Sequence, residues 1–289
     1  MNPTEPPFNA PPPGGPPWGG QPPSGPPPGG PPPNYYQQVP PPPPPQGELL
    51  PEIDIAPPGE QPRLTVFFRL LLLIPHFIVL WLLGIASGVI AIITWFAALF
   101  TAHTPEFARS YQQGYLNWQV RVDAYLFFLS SKYPEFSWKP TGQVIAYLPP
   151  PVRMNRAAIF FRIILAIPAA ILGALLSYGL AIASIVQWVI VLILGRTPEP
   201  VFAANAAVVR YRFRLESYWL MVTSAYPKGA FGDNNATGVP PASPTRPLIV
   251  ESTAKALVII YIVLGIIAYA STTTVNVTTD SDSSNSVST

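Results

Sequence analysis

One stretch of this chain occurs twice, at a constant distance and without a gap, and a fixed period sets the unit of architecture before any other feature does. Phe67-Phe68-Arg69 recurs as Phe160-Phe161-Arg162, Ile74-Pro75 as Ile167-Pro168, Trp95 as Trp188, and Thr104-Pro105-Glu106 as Thr197-Pro198-Glu199. Arg121, Tyr125 and Tyr133-Pro134 return as Arg214, Tyr218 and Tyr226-Pro227, and every pair is 93 positions apart. Each copy opens on an apolar run longer than a soluble helix carries. The expected fold is therefore an all-α membrane protein built on a tandem duplicated helical membrane domain.

Around the repeat the composition shifts sharply. The 289 residues include 41 prolines, no cysteine, two histidines and only 10% charged residues, a mixture one globular domain does not produce. Residues 1–62 hold 26 of the prolines and neither Lys nor Arg. Such an arm cannot bury a core. Pro40 to Pro45 favour polyproline II, and the Pro-Pro-Gly-Gly phrases add flexible joints. It reads as a disordered, solvated tether, or as a docking strip for an aromatic-lined groove on a cytoplasmic protein partner. It lacks the basic start and short apolar stretch of a signal peptide, so the N-terminus is expected to stay in the cytoplasm.

Val66 to Phe100 contains one charged residue, Arg69, and His76. A straight helix of that length would exceed about 50 Å against a hydrocarbon core of about 30 Å, which excludes one upright crossing. Pro75, repeated as Pro168, offers a break, because an interior proline loses a hydrogen bond and clashes with the preceding turn. On that reading Arg63–Ile74 and Arg156–Ile167 are short interfacial helices, with Arg69 and Arg162 snorkelling to headgroups. His76–Phe100 and Ala169–Ile193 are then long enough to cross once with tilt. Gly84 with Gly88, and Gly173 with Ser177, suit close helix approach in lipid, or a sharp turn that makes each run a hairpin. Trp95 and Trp188 suit the headgroup level, or a packed place inside the bundle.

Thr104-Pro105-Glu106 and its copy carry a helix start: a capping hydroxyl, a proline at the first helical position and an acid in the positive first turn. The helix is expected to run to about Ser131, with Tyr133-Pro134 ending it. Phe107, Tyr111, Tyr115, Trp118, Val122, Tyr125 and Leu129 share one face, and Arg109, Gln112, Gln113, Gln119 and Asp123 the other. That pattern suits a helix lying in the interface or packed against the spans. In the second copy Arg210, Arg212 and Arg214 make the polar side strongly basic. Anionic lipid is one partner for them; a salt bridge to Glu216 or Glu199 is the other. The duplicated pairs Arg121 with Asp123 and Arg214 with Glu216 complete the candidate lipid or ion-pair sites.

A third apolar run, Ala256 to about Val275, follows Lys255 and reads as a C-terminal transmembrane helix. The tail beyond it carries no Lys or Arg, whereas Lys228, Arg246 and Lys255 precede it. The positive-inside rule puts the linker in the cytoplasm and the tail outside. A single crossing per copy would leave Arg109, Arg121, Lys132, Lys139, Arg153 and Arg156 in an outside loop. An even number of passes, or re-entry, keeps every basic loop inside, and the sequence leans that way.

The phrases Arg69-Leu-Leu-Leu-Leu-Ile-Pro75-His76, Trp95-Phe96, and Arg121-Val-Asp-Ala-Tyr125 leading to Lys132-Tyr133-Pro134-Glu-Phe136 resemble the actinobacterial membrane family catalogued as domain of unknown function 4389. The resemblance covers about 75 residues in each copy. The second copy departs from it: Ala169 stands where His76 does, and Lys132 and Phe136 have no counterparts, while Gly195-Arg196 is closer to the family than Ala102-His103. The resemblance implies a bacterial, multi-pass membrane protein behind a proline-rich arm, and brings no activity and no catalytic residue.

The expected organisation is an arm (1–62), a first membrane repeat (63–138), a linker (139–155), a second repeat (156–231), a linker (232–255), the C-terminal helix (256–275) and a polar tail (276–289). Two histidines and no cysteine cannot make a usual zinc site, and neither a P-loop, a dinucleotide fingerprint nor a Gly-x-Ser-x-Gly elbow occurs. The chain is expected to be no enzyme, with no cofactor and no nucleic-acid partner. Two roles stand: a membrane-anchored scaffold or adaptor with a docking arm, or a small transporter, channel component or anionic-lipid-handling protein built around the repeat interface. His76 would be a transport candidate, but its copy is Ala169.

Overall fold

The apolar runs fold into long unbroken helices, and the rest of the chain is arranged against them. The computed structural model describes residues 49–56, 59–233 and 245–285, with side chains described as far as Ser271. The expected disordered arm lies outside the described residues as far as residue 48; its last part departs from that expectation, because Ile53, Ile55 and Gln61 are buried in the fold. The element order is β1 (Glu52–Ile55), α1 (Arg63–Phe67), α2 (Arg69–Thr101), α3 (Glu106–Leu126), β2 (Val144–Tyr147), α4 (Arg156–Phe160), α5 (Arg162–Leu194), α6 (Glu199–Trp219) and α7 (Ser252–Asn285). The fold is mostly helical, with the duplicated domain and the C-terminal helix in place. Beyond the all-α expectation it has a two-stranded antiparallel sheet, in which Glu52 faces Tyr147 and Ile55 faces Val144.

The break in each copy is not at the proline. Pro75 and Pro168 lie inside 33-residue helices, where one lost hydrogen bond is tolerated because neighbouring elements hold the helix on either side: Leu73 and His76 are buried, as are Ala166 and Ala169. The helix steps seven residues earlier, at Phe68 (φ −89°, ψ 9°) and Phe161 (φ −84°, ψ 6°). The hairpin reading also fails. α2 and α5 run through Gly84–Gly88 and Gly173–Ser177 without turning, so neither run doubles back to give two passes.

α3 and α6 start where the Thr-Pro-Glu signal places them, but no side chain caps them. They stop five residues before Ser131 and its copy, because Phe128 (φ 61°) and Met221 (φ 63°) turn into the left-handed region. α3 folds back antiparallel along α2: the Tyr111 hydroxyl donates to the Leu83 carbonyl at 3.0 Å, and the Trp118 indole to His76 Nδ1 at 3.0 Å. α6 repeats this on α5, where the Tyr211 hydroxyl donates to the Ala169 carbonyl at 3.2 Å. Position 76 thus keeps its partner when its side chain is lost, since a carbonyl replaces the imidazole.

Three layers result. α2, α5 and α7 form the first, α3 and α6 the second, and the sheet with its flanking loops lies over α3 and α6 as the third. Ile53, Ile55 and Val144 from the sheet join Leu116, Val120, Val208 and Val209 in the main hydrophobic cluster. α7 packs tightly on α5. A Cβ built on Gly179 would sit 1.7 Å from the Tyr261 carbonyl oxygen, and one on Gly265 2.1 Å from that of Leu175. That crossing, rather than the Gly84 and Gly88 pair, is where small residues admit a second backbone; Gly88 faces open space.

The two copies are joined by hydrogen bonds that occur in exchanged pairs. The Trp95 indole donates to the Ile159 carbonyl at 2.9 Å, and that of Trp188 to Val66 at 2.9 Å. Met154 N–H donates to Ala102, and Gln61 N–H to Gly195. Arg156 reaches the Phe100 carbonyl and Arg63 that of Ile193. The Thr104 hydroxyl reaches Met221, and the Thr197 hydroxyl reaches Phe128. Adding 93 to each first-copy residue and subtracting 93 from its partner converts one bond into the other. This is a two-fold axis running between α2 and α5, which lie antiparallel, and between α3 and α6. Trp95 and Trp188 are thereby packed against the bundle, each indole held by the other copy.

Candidate functional site

The ionisable residues singled out by the sequence are placed by helix ends and by the two-fold axis. Arg69 and Arg162 do not snorkel. Both are buried, lie over the rings of Tyr125 and Tyr218, and donate to the carbonyls of those residues, where α3 and α6 end. Arg69 also holds Gln61 at 2.6 Å, and Arg162 the Met154 sulfur at 3.8 Å. A helix leaves its last carbonyls without intrahelical partners, and a guanidinium with several donors satisfies them.

Arg121 and Arg214 serve the loops of the third layer. Arg121 donates to the Lys139 and Ser137 carbonyls, Arg214 to those of Pro51 and Lys228 at 2.9 and 2.8 Å. Burial holds the Arg121 pKa below its usual value. Arg210 and Arg214 converge on Asp233 at 2.6 and 3.0 Å, with Glu52 3.7 Å from Arg210. Burial, reinforced by the neighbouring Arg214 charge, lowers the Arg210 pKa to about 10. These two arginines are therefore closed off from anionic lipid headgroups, because their charge is spent on acids 19 or more residues away in sequence. Helical spacing does not reveal Asp233 or Glu52, which lie in irregular segments.

On the axis itself Arg212 stands 3.5 Å from Asp123 of the first copy and 3.5 Å from Glu216, one turn on in its own helix. The expected Glu216 salt bridge thus forms, but with Arg212 rather than with Arg214, and Asp123 pairs across the copies instead of with Arg121. By symmetry Gln119 takes the place of a second arginine, and it bonds Glu216. Two carboxylates share one guanidinium, so the quartet is one positive charge short. Burial raises the Asp123 pKa, with Arg212 opposing. Burial raises that of Glu216 to about 7, Arg212 opposing and Asp123 adding to the rise. Pairing with Asp123 raises the Arg212 pKa, and burial opposes it without prevailing.

Beside the quartet a cleft of about 390 Å³ opens between α2 and α5. Gly84, Ser87 and Gly88 form one wall, Ala170, Leu215 and Trp219 the other, with Tyr115, Gln119 and Glu216 also lining it. His76 does not reach it: its ring stacks on Phe136 at 3.9 Å and is fully buried. Among the described residues no group of three or more His, Cys, Asp or Glu is arranged to hold a metal ion. What the quartet can do is take up and release a proton near neutral pH.

Three helices, Arg69–Thr101, Arg162–Leu194 and Ser252–Ser271, are long and apolar enough to cross a membrane. The chain is a membrane protein in contact with lipid, with these three helices as its candidate spans. A family model described as Domain of unknown function (DUF4389) matches residues 63–137 and 156–230. Comparison with curated proteins and with solved structures gave no match.

Proposed function

The chain belongs to the DUF4389 family, whose description names no activity, and from that premise we propose that it is a non-enzymatic, membrane-anchored scaffold. The observation that carries this reading is where the charged side chains go. Arg69, Arg121, Arg162, Arg210, Arg212 and Arg214 all have partners inside the fold. A duplicated membrane unit whose arginines are held within the fold suits a fixed platform, and the proline-rich arm supplies the element that recruits a cytoplasmic partner. The positive-inside distribution supports arm and linker in the cytoplasm and the C-terminal tail outside. Deleting residues 1–48 from the full chain, which leaves Pro51 and the buried β1 in place, is the test: the shortened protein is expected to stay in the membrane and to lose its co-purifying partners. Unchanged partners would reject the scaffold reading.

The cleft supports a second role, as a small transporter or channel component, because a titrating carboxylate lines a cavity between pseudo-symmetric repeats. Purified protein in liposomes would then carry a proton flux that Glu216→Gln abolishes, and absence of flux in the unaltered protein removes this role.

A further inference from the structure

Upright, α2 and α5 are at odds with the bilayer on two independent counts. Exposed apolar side chains follow α2 from Leu70 through Phe77, Trp81, Ile85, Val89 and Phe96 to Phe100. Thirty residues at 1.5 Å each make a stripe of about 45 Å, against a hydrocarbon core of about 30 Å. Immersing the whole stripe takes an inclination of about 50° from the membrane normal, beyond the 0–40° that spanning helices show.

The third layer gives the other count. β1 begins beside Pro51, whose carbonyl Arg214 holds in the C-terminal half of α6. The chain then passes to Gln61, which bonds Gly195 at the opposite end of the bundle. The sheet therefore lies across the middle of α3 and α6, level with the middle of α2 and α5. Upright helices would set the two-stranded sheet and its flanking loops at bilayer depth, with Glu52 and Asp233 beside it. Irregular backbone and sheet edges do not occur exposed to lipid there.

Both conflicts disappear in one orientation. We propose that the two-fold axis relating the copies runs along the membrane normal. α2 and α5 then lie along the membrane plane, both ends of each at one depth because Met154 bonds Ala102 as its copy Gln61 bonds Gly195, with their common exposed face toward the acyl chains, and α3, α6 and the sheet face water on a single side. The occupant of the exposed face is lipid, because the face is apolar along its entire length and no charged side chain interrupts it. The two copies enter the membrane from the same side. This also returns Arg109, Arg121, Lys132, Lys139, Arg153 and Arg156 to one side, the outcome the positive-inside rule requires, without the hairpins that the helices do not make.

The chain has no cysteine, so single exposed cysteines report sidedness directly. Glu60→Cys and Arg196→Cys mark one end of the bundle, His103→Cys and Asn155→Cys the other, and Lys139→Cys the third layer. With a membrane-impermeant maleimide on right-side-out and inverted vesicles, all five are expected to label at least ten-fold better from one and the same side. Labelling of the two ends from opposite sides would overturn the proposal. Brominated phospholipid in the same vesicles is expected to quench Trp81 fluorescence, seen as a quenched component lost in Trp81→Phe. No such component would mean that another protein chain, a second copy included, covers this face, and would equally overturn it.

Discussion

Glu216 makes the stability of this protein depend on pH in a direction opposite to that of most paired carboxylates. Its carboxyl titrates at about 7 in the folded chain against an ordinary value of 4.5, so between those values the folded state holds a proton that the unfolded state has released. Stability is full below about 4.5 and is lost as pH rises through the folded value, the loss being complete above it. Each pH unit inside the window is worth up to ~1.4 kcal/mol, or about 3 kcal/mol across it. With 30% of the side chain exposed, solvent screening brings this to on the order of 1–2 kcal/mol. Glu216→Gln reproduces the protonated form and leaves Arg212 and Asp123 as a one-to-one pair. Thermal unfolding followed by far-UV circular dichroism in lipid nanodiscs should show the unaltered protein losing about 2–8 °C between mildly acidic and mildly alkaline pH, as 1–2 kcal/mol implies for a chain of this size. The variant should melt higher on the alkaline side and show a shallower pH slope. Some slope remains from Asp123, whose pKa is raised in the same direction. A flat profile for the unaltered protein, or an undiminished slope in the variant, would refute the reasoning.

Two further substitutions test the packing. Gly179→Val should destabilise the chain by about 2 kcal/mol or more, by forcing α7 off α5, whereas Gly88→Val, which meets nothing within 4 Å, should leave the melting temperature unchanged; equal effects would contradict the assigned crossing. Ala102 holds φ 59° at the end of α2, where its copy Gly195 holds 68°. Ala102→Gly should therefore relieve left-handed strain and stabilise by about 1 kcal/mol in the same melts.

The repeat, the helix starts and the apolar lengths were legible because each rests on local chemistry: period, proline position and hydropathy. The break at Phe68 was not, because its cause is remote. At the step the Val66 carbonyl, which also accepts a backbone N–H at the helix end, takes the indole of Trp188, 122 residues away. Likewise the helix end at Phe128 depends on a backbone turn whose carbonyl Gln61 and Thr197 hold, and proline spacing points instead to Tyr133-Pro134. Of the candidate site, Asp123, Arg212 and Glu216 could be named from the sequence. That they meet could not, since the axis joins residues of different copies. The Arg210 and Arg214 cluster looked like a lipid-facing patch because its acids, Asp233 and Glu52, sit in segments with no helical period. Charge pattern along one helix cannot show what another segment brings to it.

The exchanged hydrogen bonds have a consequence for how the molecule comes apart. The tryptophan that completes one copy's helix step belongs to the other copy, and so does the threonine that secures its helix end. A copy alone lacks both donors, so half of the chain is no shorter version of the whole. The segment that recurs in the sequence is smaller than the piece that can melt independently. Loss of either copy's partners exposes carbonyls in the other, and the two are coupled into a single cooperative transition.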